Sequence, residues 1–310
     1  PADTDGEGDF VMDTRLLREF TRRMSGEMVT FEIGDDLIVN LSSAAAECSF
    51  SALSAADYPD LPSVEGGRSF TVKQATLKSM IIMTAYAAST NETKPILTGE
   101  LFDIADGQFN LVAIDGFRLA IRTESTETQE KFSFVVPRKA LHELSGLIKD
   151  DSDKDCEISV TPRHIVFRFG TISLIARLLE GAFHNYRLSV PNSFKTEVIV
   201  QKRELTASLE RCSLIIDEKN KSPIRCEIGD GTIKITCKTG LGRVSDKISA
   251  DISGDSLTIG YNNRLLLEAL KAAEGDKVRL RFNGAMKVIE LLPLDGESFI
   301  FLVMPIQLKT

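Results

Sequence analysis

One arrangement of apolar and polar residues recurs five times along the chain: a short apolar run leads directly into an amphipathic basic helix. The apolar runs cover residues 10–12, 70–72, 132–136, 198–200 and 257–259. With Met12, Val72, Val136, Val200 and Tyr261 as the last residues before the helices, successive repeats are 60, 64, 64 and 61 residues apart. Segments with the two-residue period of strands follow the helices. The chain is therefore predicted to repeat a unit of strand, helix and β-meander.

Helix signals support this interpretation. Pro137 stands where the first turn of a helix needs no N–H, and Leu141 and Leu144 begin an apolar stripe behind it. In the last repeat a leucine-rich helix closes at Gly275. We predict an α+β fold in which each complete domain packs two helices on antiparallel sheets, with basic residues on the outer helix faces.

Two segments rich in proline and turn-forming residues, 57–67 and 183–191, interrupt the repeats. They predict three domains, at 1–66, 67–191 and 192–310. The second and third domains hold two units each, and the first holds one. Because a single unit exposes a helix face and a sheet edge, we expect a sixth unit of about 60 residues to be missing before residue 1; a natural short form is the alternative.

Composition limits the class of protein. The hydrophobic content of 43% is sufficient for packed cores, and the acidic start of the chain is unlike a signal peptide. We therefore expect a soluble, cytoplasmic protein without a membrane span. The five cysteines form no C-x-x-C pair, so the sequence indicates neither a disulfide framework nor a zinc site.

The net charge of −8 is unlike that of a protein that simply coats nucleic acid. The charge is unevenly distributed, however. The five helical segments together carry 14 Lys or Arg and 9 Asp or Glu, so the rest of the chain holds a net charge of −13. Helix propensity alone is one explanation. The other is that the helices face an anionic partner while the sheets face away from it.

Signals for catalysis are weak. The three histidines have no serine or cysteine at a recognisable nucleophile spacing, and no glycine-rich phosphate loop is present. Asp103, Asp106 and Asp115 are candidate metal ligands, although aspartate is also favoured in hairpin turns. A metal-dependent hydrolase built on these three residues is the third functional class considered.

Two local features remain. Asp115-Gly116 lies between two strand-like runs and predicts a tight hairpin, with Phe117 and Arg118 directly after the turn. The chain ends in an apolar strand followed by Met304-Pro305. Methionine suits apolar surfaces that accept varied ligands, whereas a last strand buried for stability is the simpler interpretation.

These features resemble the bacterial β sliding clamp, the processivity subunit of DNA polymerase III. The resemblance covers essentially the whole chain in order and rests on the repeats, on residues 114–120, 135–144 and 186–191, on Tyr261-Asn262 and on residues 303–306. It implies a non-catalytic, nucleoid-associated protein that needs no cofactor. Two subunits of this family form a ring around duplex DNA, with helices lining the hole and sheets forming the outer wall.

The resemblance implies two sets of contacts along the ring. The residues expected to face DNA are basic and lie on the first four helices: Arg15, Arg22, Lys78, Arg138, Lys139, Lys202 and Arg203. The residues expected at the subunit contact lie on an edge strand of the first domain and on the helix around Leu214 and Ile215: Ala45, Ala46, Cys48, Ser49, Leu214 and Ile215.

The family also has a hydrophobic cleft between its middle and last domains. This cleft takes short linear peptides from the replicative polymerase, other DNA polymerases, the clamp loader and repair proteins. By resemblance it is lined here by Leu97, Ile114, Gly116, Phe117, Arg118, Leu119, His184, Leu188, Ser189, Leu265, Met286, Val288, Leu302, Val303, Met304, Pro305 and Ile306.

This chain departs from the family pattern at three positions. Phe117 replaces the usual histidine, His184 the usual proline and Gln307 the usual arginine. These changes affect the expected peptide preference more than the existence of the cleft. The alternative to a ring-forming clamp is an adaptor that keeps the cleft but does not close around DNA.

Overall fold

The computed structural model describes residues 2–44, 46–60, 62, 64, 66–149, 152–216 and 222–308. It contains two compact units, Pro1–Ser63 and Val64–Thr310. The described residues form five α-helices, none of which is long and apolar enough to cross a membrane.

The first unit is one copy of the repeat. Its elements are β1 (Phe10–Val11), α1 (Thr14–Arg23), β2 (Thr30–Ile33), β3 (Ile38–Ser43), β4 (Ala46–Ser51) and β5 (Leu53–Ser54). The Asp13 carboxylate caps α1 by accepting a 2.9 Å hydrogen bond from the N–H of Leu16. Strands β2, β3 and β4 form an antiparallel meander around a small core, and none of the residues of α1 is buried.

The second unit holds the other four repeats. The elements of its first two repeats are β6 (Arg68–Lys73), α2 (Gln74–Ala85), β7 (Gly99–Ala105), β8 (Gln108–Ile114), β9 (Arg118–Ser125), β10 (Phe132–Pro137), α3 (Arg138–Leu147), β11 (Asp155–Val160), β12 (His164–Phe169) and β13 (Ile172–Arg177). Those of the last two are β14 (Thr196–Gln201), α4 (Lys202–Ser213), β15 (Ile224–Gly229), β16 (Thr232–Thr239), β17 (Gly242–Gly254), β18 (Leu257–Tyr261), α5 (Asn263–Ala272), β19 (Lys277–Phe282), β20 (Ile289–Pro293), β21 (Phe299–Val303) and β22 (Pro305–Ile306). This repeated α+β arrangement confirms the predicted fold class.

The repeats interlock in pairs. The strand before each helix pairs antiparallel with the first strand after the other helix of its pair, so that β6 joins β11 and β10 joins β7. The last two repeats follow the same rule, with β14 beside β19 and β18 beside β15. Neither repeat of a pair can therefore complete its sheets without the other.

A continuous sheet joins the two pairs of repeats. Strand β9 runs antiparallel to β21, with Arg118 opposite Val303 and Arg122 opposite Phe299. This contact links the strands of both pairs into one sheet of 13 strands. Residues 64–310 consequently behave as one compact unit, and the domain boundaries at 66/67 and 191/192 stay predictions.

Helix α2 differs from the amphipathic basic helix that its sequence predicted. Leu77 and Met80 face the core that α2 shares with α3, whereas Met83 belongs to the core of the last two repeats. The helix is apolar on two sides because it packs on its own sheets and also against the neighbouring pair of repeats. Lys78 is its only basic residue.

Candidate functional site

The hairpin between β8 and β9 has the tight turn that Asp115-Gly116 predicted. Gly116 has a φ of +92°, a conformation that side-chain-bearing residues rarely adopt. The Asp115 carboxylate accepts hydrogen bonds from the N–H groups of Phe117 at 2.9 Å and Arg118 at 3.1 Å. The turn therefore holds Phe117 outward in a defined position, exposed to solvent.

Arg118 connects this turn to the last helix. Its Nε donates to Asp115 at 2.9 Å, its Nη1 bonds the Glu268 carboxylate on α5, and its guanidinium lies 5.1 Å from the centre of the Tyr86 ring. Only 8% of the Arg118 side chain is exposed. Burial raises the pKa of the Tyr86 phenol well above its ordinary value. Arg118 is thus a buried cation held by two carboxylates and an aromatic face.

The end of the chain lies against the same turn. After β21 the N–H of Met304 donates a 2.8 Å hydrogen bond to the carbonyl of Phe117, and β22 then pairs with β18. Met304 is left exposed beside Phe117, while Val303 is completely buried in the core.

Residues 178–195, between β13 and β14, cross the face of the sheet and are called the crossing segment below. Leu179 bonds the carbonyl of Val135 through its N–H at 2.9 Å, and Tyr186 is buried against the sheet. The hydroxyl of Tyr186 donates to Asp103 at 2.7 Å. His184 and Ser189 project on the other side and lie 3.1 Å apart, between Nε2 and Oγ.

A cavity of about 610 Å³ has three walls: the turn between β8 and β9, the residues around Met304 and the crossing segment. Aliphatic and aromatic side chains dominate its surface, with basic residues and histidine at intervals. Its lining consists of Lys94, Ile96, Leu97, Ile114, Gly116, Phe117, Arg118, Leu119, Ala182, His184, Ser189, Val288, Leu302 and Met304. An apolar, concave surface with a few fixed polar groups is the usual composition of a site for small ligands or peptides.

Six of the residues predicted for the cleft are not among those that line this cavity, and their role stays a prediction. Leu188 and Met286 are 82% and 60% exposed and are not among the lining residues. Leu265 and Val303 are buried in the hydrophobic core, and Pro305 and Ile306 form β22. The other predicted cleft residues line the cavity, although their role in binding a peptide stays a prediction.

Three lining residues were missed by the sequence analysis: Lys94, Ile96 and Ala182. Lys94 and Ile96 belong to the turn before β7, directly beside the predicted Leu97. Their proximity to Leu97 in the sequence could have identified them as lining residues. Ala182 had no comparable signal, because a single alanine in a linker has no side-chain chemistry to indicate a site.

Two other cavities are more polar. One of about 580 Å³ is lined by Gln201, Glu274, Asp276 and Lys277 among others, and one of about 480 Å³ lies beside Lys234 and Lys247. Neither has the largely apolar lining of the 610 Å³ cavity.

The predicted DNA-facing residues fall into two groups. Arg15 and Arg22 on α1, Arg138 and Lys139 at the start of α3, and Arg203 at the start of α4 are exposed. Lys78 and Lys202 are half-buried instead. Lys78 Nζ donates to the Ile148 carbonyl at 2.8 Å and Lys202 Nζ donates to the Ala273 carbonyl at 2.7 Å. Each of these two lysines therefore caps the C-terminus of the helix packed beside its own.

The predicted subunit-contact residues also have accessible positions. Ala46, Cys48 and Ser49 lie on β4, an edge strand whose one partner among the described strands is β3. Leu214, which is 81% exposed, and the half-buried Ile215 directly follow α4. Ala45 lies outside the described residues.

The three aspartates considered as metal ligands have separate partners. Asp103 binds Tyr186 and Arg187, Asp106 pairs with Lys131 at 2.8 Å, and Asp115 binds its own turn. No group of three potential ligands that could hold a metal ion occurs in the part of the chain that the structure describes. The described geometry gives the hydrolase alternative no support.

Two family models match successive parts of the chain. Residues 71–185 match the family model of the DNA polymerase III beta subunit, central domain, and residues 187–307 match that of its C-terminal domain.

Similar proteins match over nearly the whole chain. The beta sliding clamp of Bacillus subtilis (strain 168) is 30% identical over 305 residues, which cover 97% of this chain and 80% of the relative. That of Staphylococcus epidermidis (strain ATCC 35984) is 30% identical over 318 residues, covering 99% and 84%. Among solved structures, the DNA polymerase sliding clamp from Bacillus subtilis has a TM-score of 0.93 at 28% identity, covering 99% of this chain and 84% of that one. The beta subunit from the DNA polymerase of Streptococcus pyogenes has a TM-score of 0.92 at 28% identity, covering 98% and 83%.

Proposed function

The chain belongs to the family of bacterial beta sliding clamps, the beta subunits of DNA polymerase III, and we propose that it works as a homodimeric ring whose 610 Å³ cavity binds the peptides of client proteins. Its function is that of a DNA sliding clamp. The proposed parts are the ring, the peptide site, the clients and the lack of catalytic activity. The similarity to sliding clamps over nearly the whole chain favours a clamp over a monomeric adaptor. The bacterial cytoplasm, at the nucleoid, is the proposed location.

The cavity is the observation that carries the proposal. Its lining comes from the turn after β8, the crossing segment and the strand before the chain end, all held by short hydrogen bonds. A preformed apolar groove binds a peptide at low entropic cost, because few side chains must be ordered on binding. The expected clients are the replicative polymerase subunit, other DNA polymerases, the clamp loader and repair proteins.

The exposed basic residues at the starts of α3 and α4 support a role in attracting DNA. Arg138, Lys139 and Arg203 lie in first turns of helices, where N–H groups also face outward. Together they would supply a sequence-independent attraction for phosphates. A ring that holds DNA by its topology needs no tight contacts, which would oppose sliding.

Ring closure is proposed to pair the edge of β4 in one copy with the region of Leu214 and Ile215 in a second copy. Main-chain pairing across an open strand edge combined with burial of an exposed leucine is an ordinary mode of subunit contact. Sedimentation of the 310-residue chain over a concentration series tests this part: a species of twice the monomer mass is expected, and a monomer at all concentrations contradicts it.

The peptide site is tested by fluorescence anisotropy with a labelled Gln-Leu-Asp-Leu-Phe peptide. We expect micromolar binding by the parent chain and loss of binding by the Met304→Ala, Arg118→Ala double variant. A folded parent chain that does not bind the peptide contradicts the assignment of the cavity.

Topological binding of DNA is tested with a clamp loader and a nicked circular duplex. The loaded protein should stay on the circle through gel filtration and should leave when a restriction enzyme cuts the DNA. Equal retention on circular and linear DNA would show that contacts, rather than a closed ring, hold the duplex.

A further inference from the structure

The segment that forms one wall of the cavity is attached to the sheet by a buried polar contact. The Tyr186 hydroxyl donates a 2.7 Å hydrogen bond to Asp103 Oδ2 on β7, and only 4% of Tyr186 is exposed. Burial and then the hydrogen bond to Asp103 raise the pKa of the Tyr186 phenol above its ordinary value. The hydroxyl therefore stays protonated and continues to donate throughout the physiological range.

The same carboxylate also holds the next residue. Arg187 Nη2 lies 2.7 Å from Asp103 Oδ2, and the guanidinium is 4.7 Å from the centre of the Tyr186 ring. Asp103 itself is largely buried, with 13% of its side chain exposed. One oxygen on the sheet thus fixes two successive residues of the crossing segment.

Residues that line the cavity lie on both sides of Tyr186 and Arg187 in the sequence. His184 and Ser189, two and three positions away from Tyr186, both line the cavity. The Tyr186 ring points the other way, into a core that it shares with Leu119 and Leu302, which form part of the cavity surface. A shift of Tyr186 would therefore change two parts of the cavity: the wall that carries His184 and Ser189, and the surface formed by Leu119 and Leu302.

The apolar contacts of the segment do not by themselves determine its register. Phe183 and Val190 pack on the sheet, but apolar contacts are not directional and tolerate sliding. A hydrogen bond to a carboxylate has a strict distance and angle. Leu179 is also held, by its N–H bond to Val135, but it lies five residues before His184. The contact of Tyr186 with Asp103 is the directional attachment that lies between His184 and Ser189 in the sequence.

We propose that Asp103 and Tyr186 are positioning residues for the peptide cleft: neither lines the cavity, but together they hold the wall that carries His184 and Ser189 at the separation a peptide requires. This inference rests on the proposed function, since it assumes that the cavity binds peptides. It assigns Asp103, considered above as a possible metal ligand, a different role.

The test compares Tyr186→Phe, Asp103→Asn and the double variant with the parent chain in the peptide titration. Each single variant should bind 3- to 10-fold more weakly. The double variant should bind no more weakly than the weaker single variant, because both changes act on the same contact. Amide hydrogen exchange at residues 184–189 should become faster, while exchange in α2 and α3 should be unchanged.

Asp106→Asn is the matched control, because Asp106 follows the same strand and its ion pair with Lys131 is exposed and away from the cavity. It should change neither peptide affinity nor exchange in the crossing segment. Tyr186→Phe removes only a hydroxyl group, so it keeps the test informative if Asp103→Asn does not fold.

The possible failures can be told apart. Faster exchange at 184–189 with unchanged affinity would overturn the inference, as would slow exchange in all variants. A parent chain that binds no peptide would instead remove the proposed function, and the inference with it.

Discussion

The backbone N–H of Met304 donates a 2.8 Å hydrogen bond to the carbonyl of Phe117. Met304 lies between β21 and β22, and Phe117 lies in the turn between β8 and β9. Because β9 and β21 are paired directly beneath them, this bond extends the ladder by one more contact. Two walls of the cavity are thus parts of one hydrogen-bonded sheet.

Met304→Ala should weaken peptide binding by more than about 1 kcal/mol, since it removes an exposed, flexible side chain from the cavity surface. Anisotropy with the labelled peptide measures the effect. Met28→Ala is the control, because Met28 is also exposed but belongs to the first unit and does not line the cavity. Equal losses in the two variants would contradict the cavity as the binding surface. A chain ending at Val303 should lose at least as much affinity as Met304→Ala.

Arg118→Ala should lower the free energy of unfolding by about 2–4 kcal/mol, because it leaves Asp115 without its buried cation and removes a contact between two pairs of repeats. Chemical denaturation measures this change. Arg264→Ala is the control: Arg264 also approaches Glu268, at 4.0 Å, but is exposed, so its loss should cost less than about 0.5 kcal/mol. Unchanged stability in Arg118→Ala would show that the cluster contributes little.

Replacing Arg138 and Lys139 by glutamate should shorten the lifetime of the loaded protein on circular DNA and weaken the dependence of that lifetime on salt, because two phosphate-attracting charges become repulsive. Peptide affinity should be unchanged. In the control, glutamate replaces Arg163 and Arg177, two exposed arginines that lie outside the helices. If both double variants lose DNA equally, net charge rather than the position of the helices is responsible.

Leu214→Asp should shift the chain toward monomer in sedimentation, because it places a charge in the proposed subunit contact. Leu241→Asp is a matched control, since Leu241 is similarly exposed but lies at the tip of the β16–β17 hairpin. A dimer in the Leu214 variant and a monomer in the Leu241 variant would move the contact to the hairpin.

Glu100→Gln should remove part of the pH dependence of stability. Glu100 is completely buried beneath α2, and burial raises its pKa to about 8, against smaller opposing effects of the 2.5 Å hydrogen bond from Thr84 and of Arg138. A carboxyl whose folded pKa lies above its unfolded value of about 4.3 stabilises the fold fully below that value. This stabilisation is lost as pH rises toward 8.

Denaturation at pH 5 and pH 8 measures this effect. The parent should lose stability on the order of 2–4 kcal/mol more than Glu100→Gln over this interval. Parallel pH profiles would show that Glu100 stays charged in the folded protein.

Much of the local structure was predictable from the sequence, because it depends on neighbouring residues. The five repeats, the apolar stripes of α3 and α5 and the hairpin at Asp115-Gly116 all follow from spacing and turn chemistry over a few positions. The family resemblance added most of the cavity lining. It also included Leu188 and Met286, which are exposed and are not among the residues that line the cavity.

The sequence alone therefore determined the repeating unit, the α+β class and the family. Only the tertiary structure decided that β9 pairs with β21, that Arg118 binds Glu268 and that the Tyr186 hydroxyl donates to Asp103. Several open strand edges and several carboxylates in the chain have similar chemistry, so the pattern of one sequence cannot choose among them. That choice depends on the packing of whole repeats, which brings distant residues together only when the sheets and helices have buried their apolar faces.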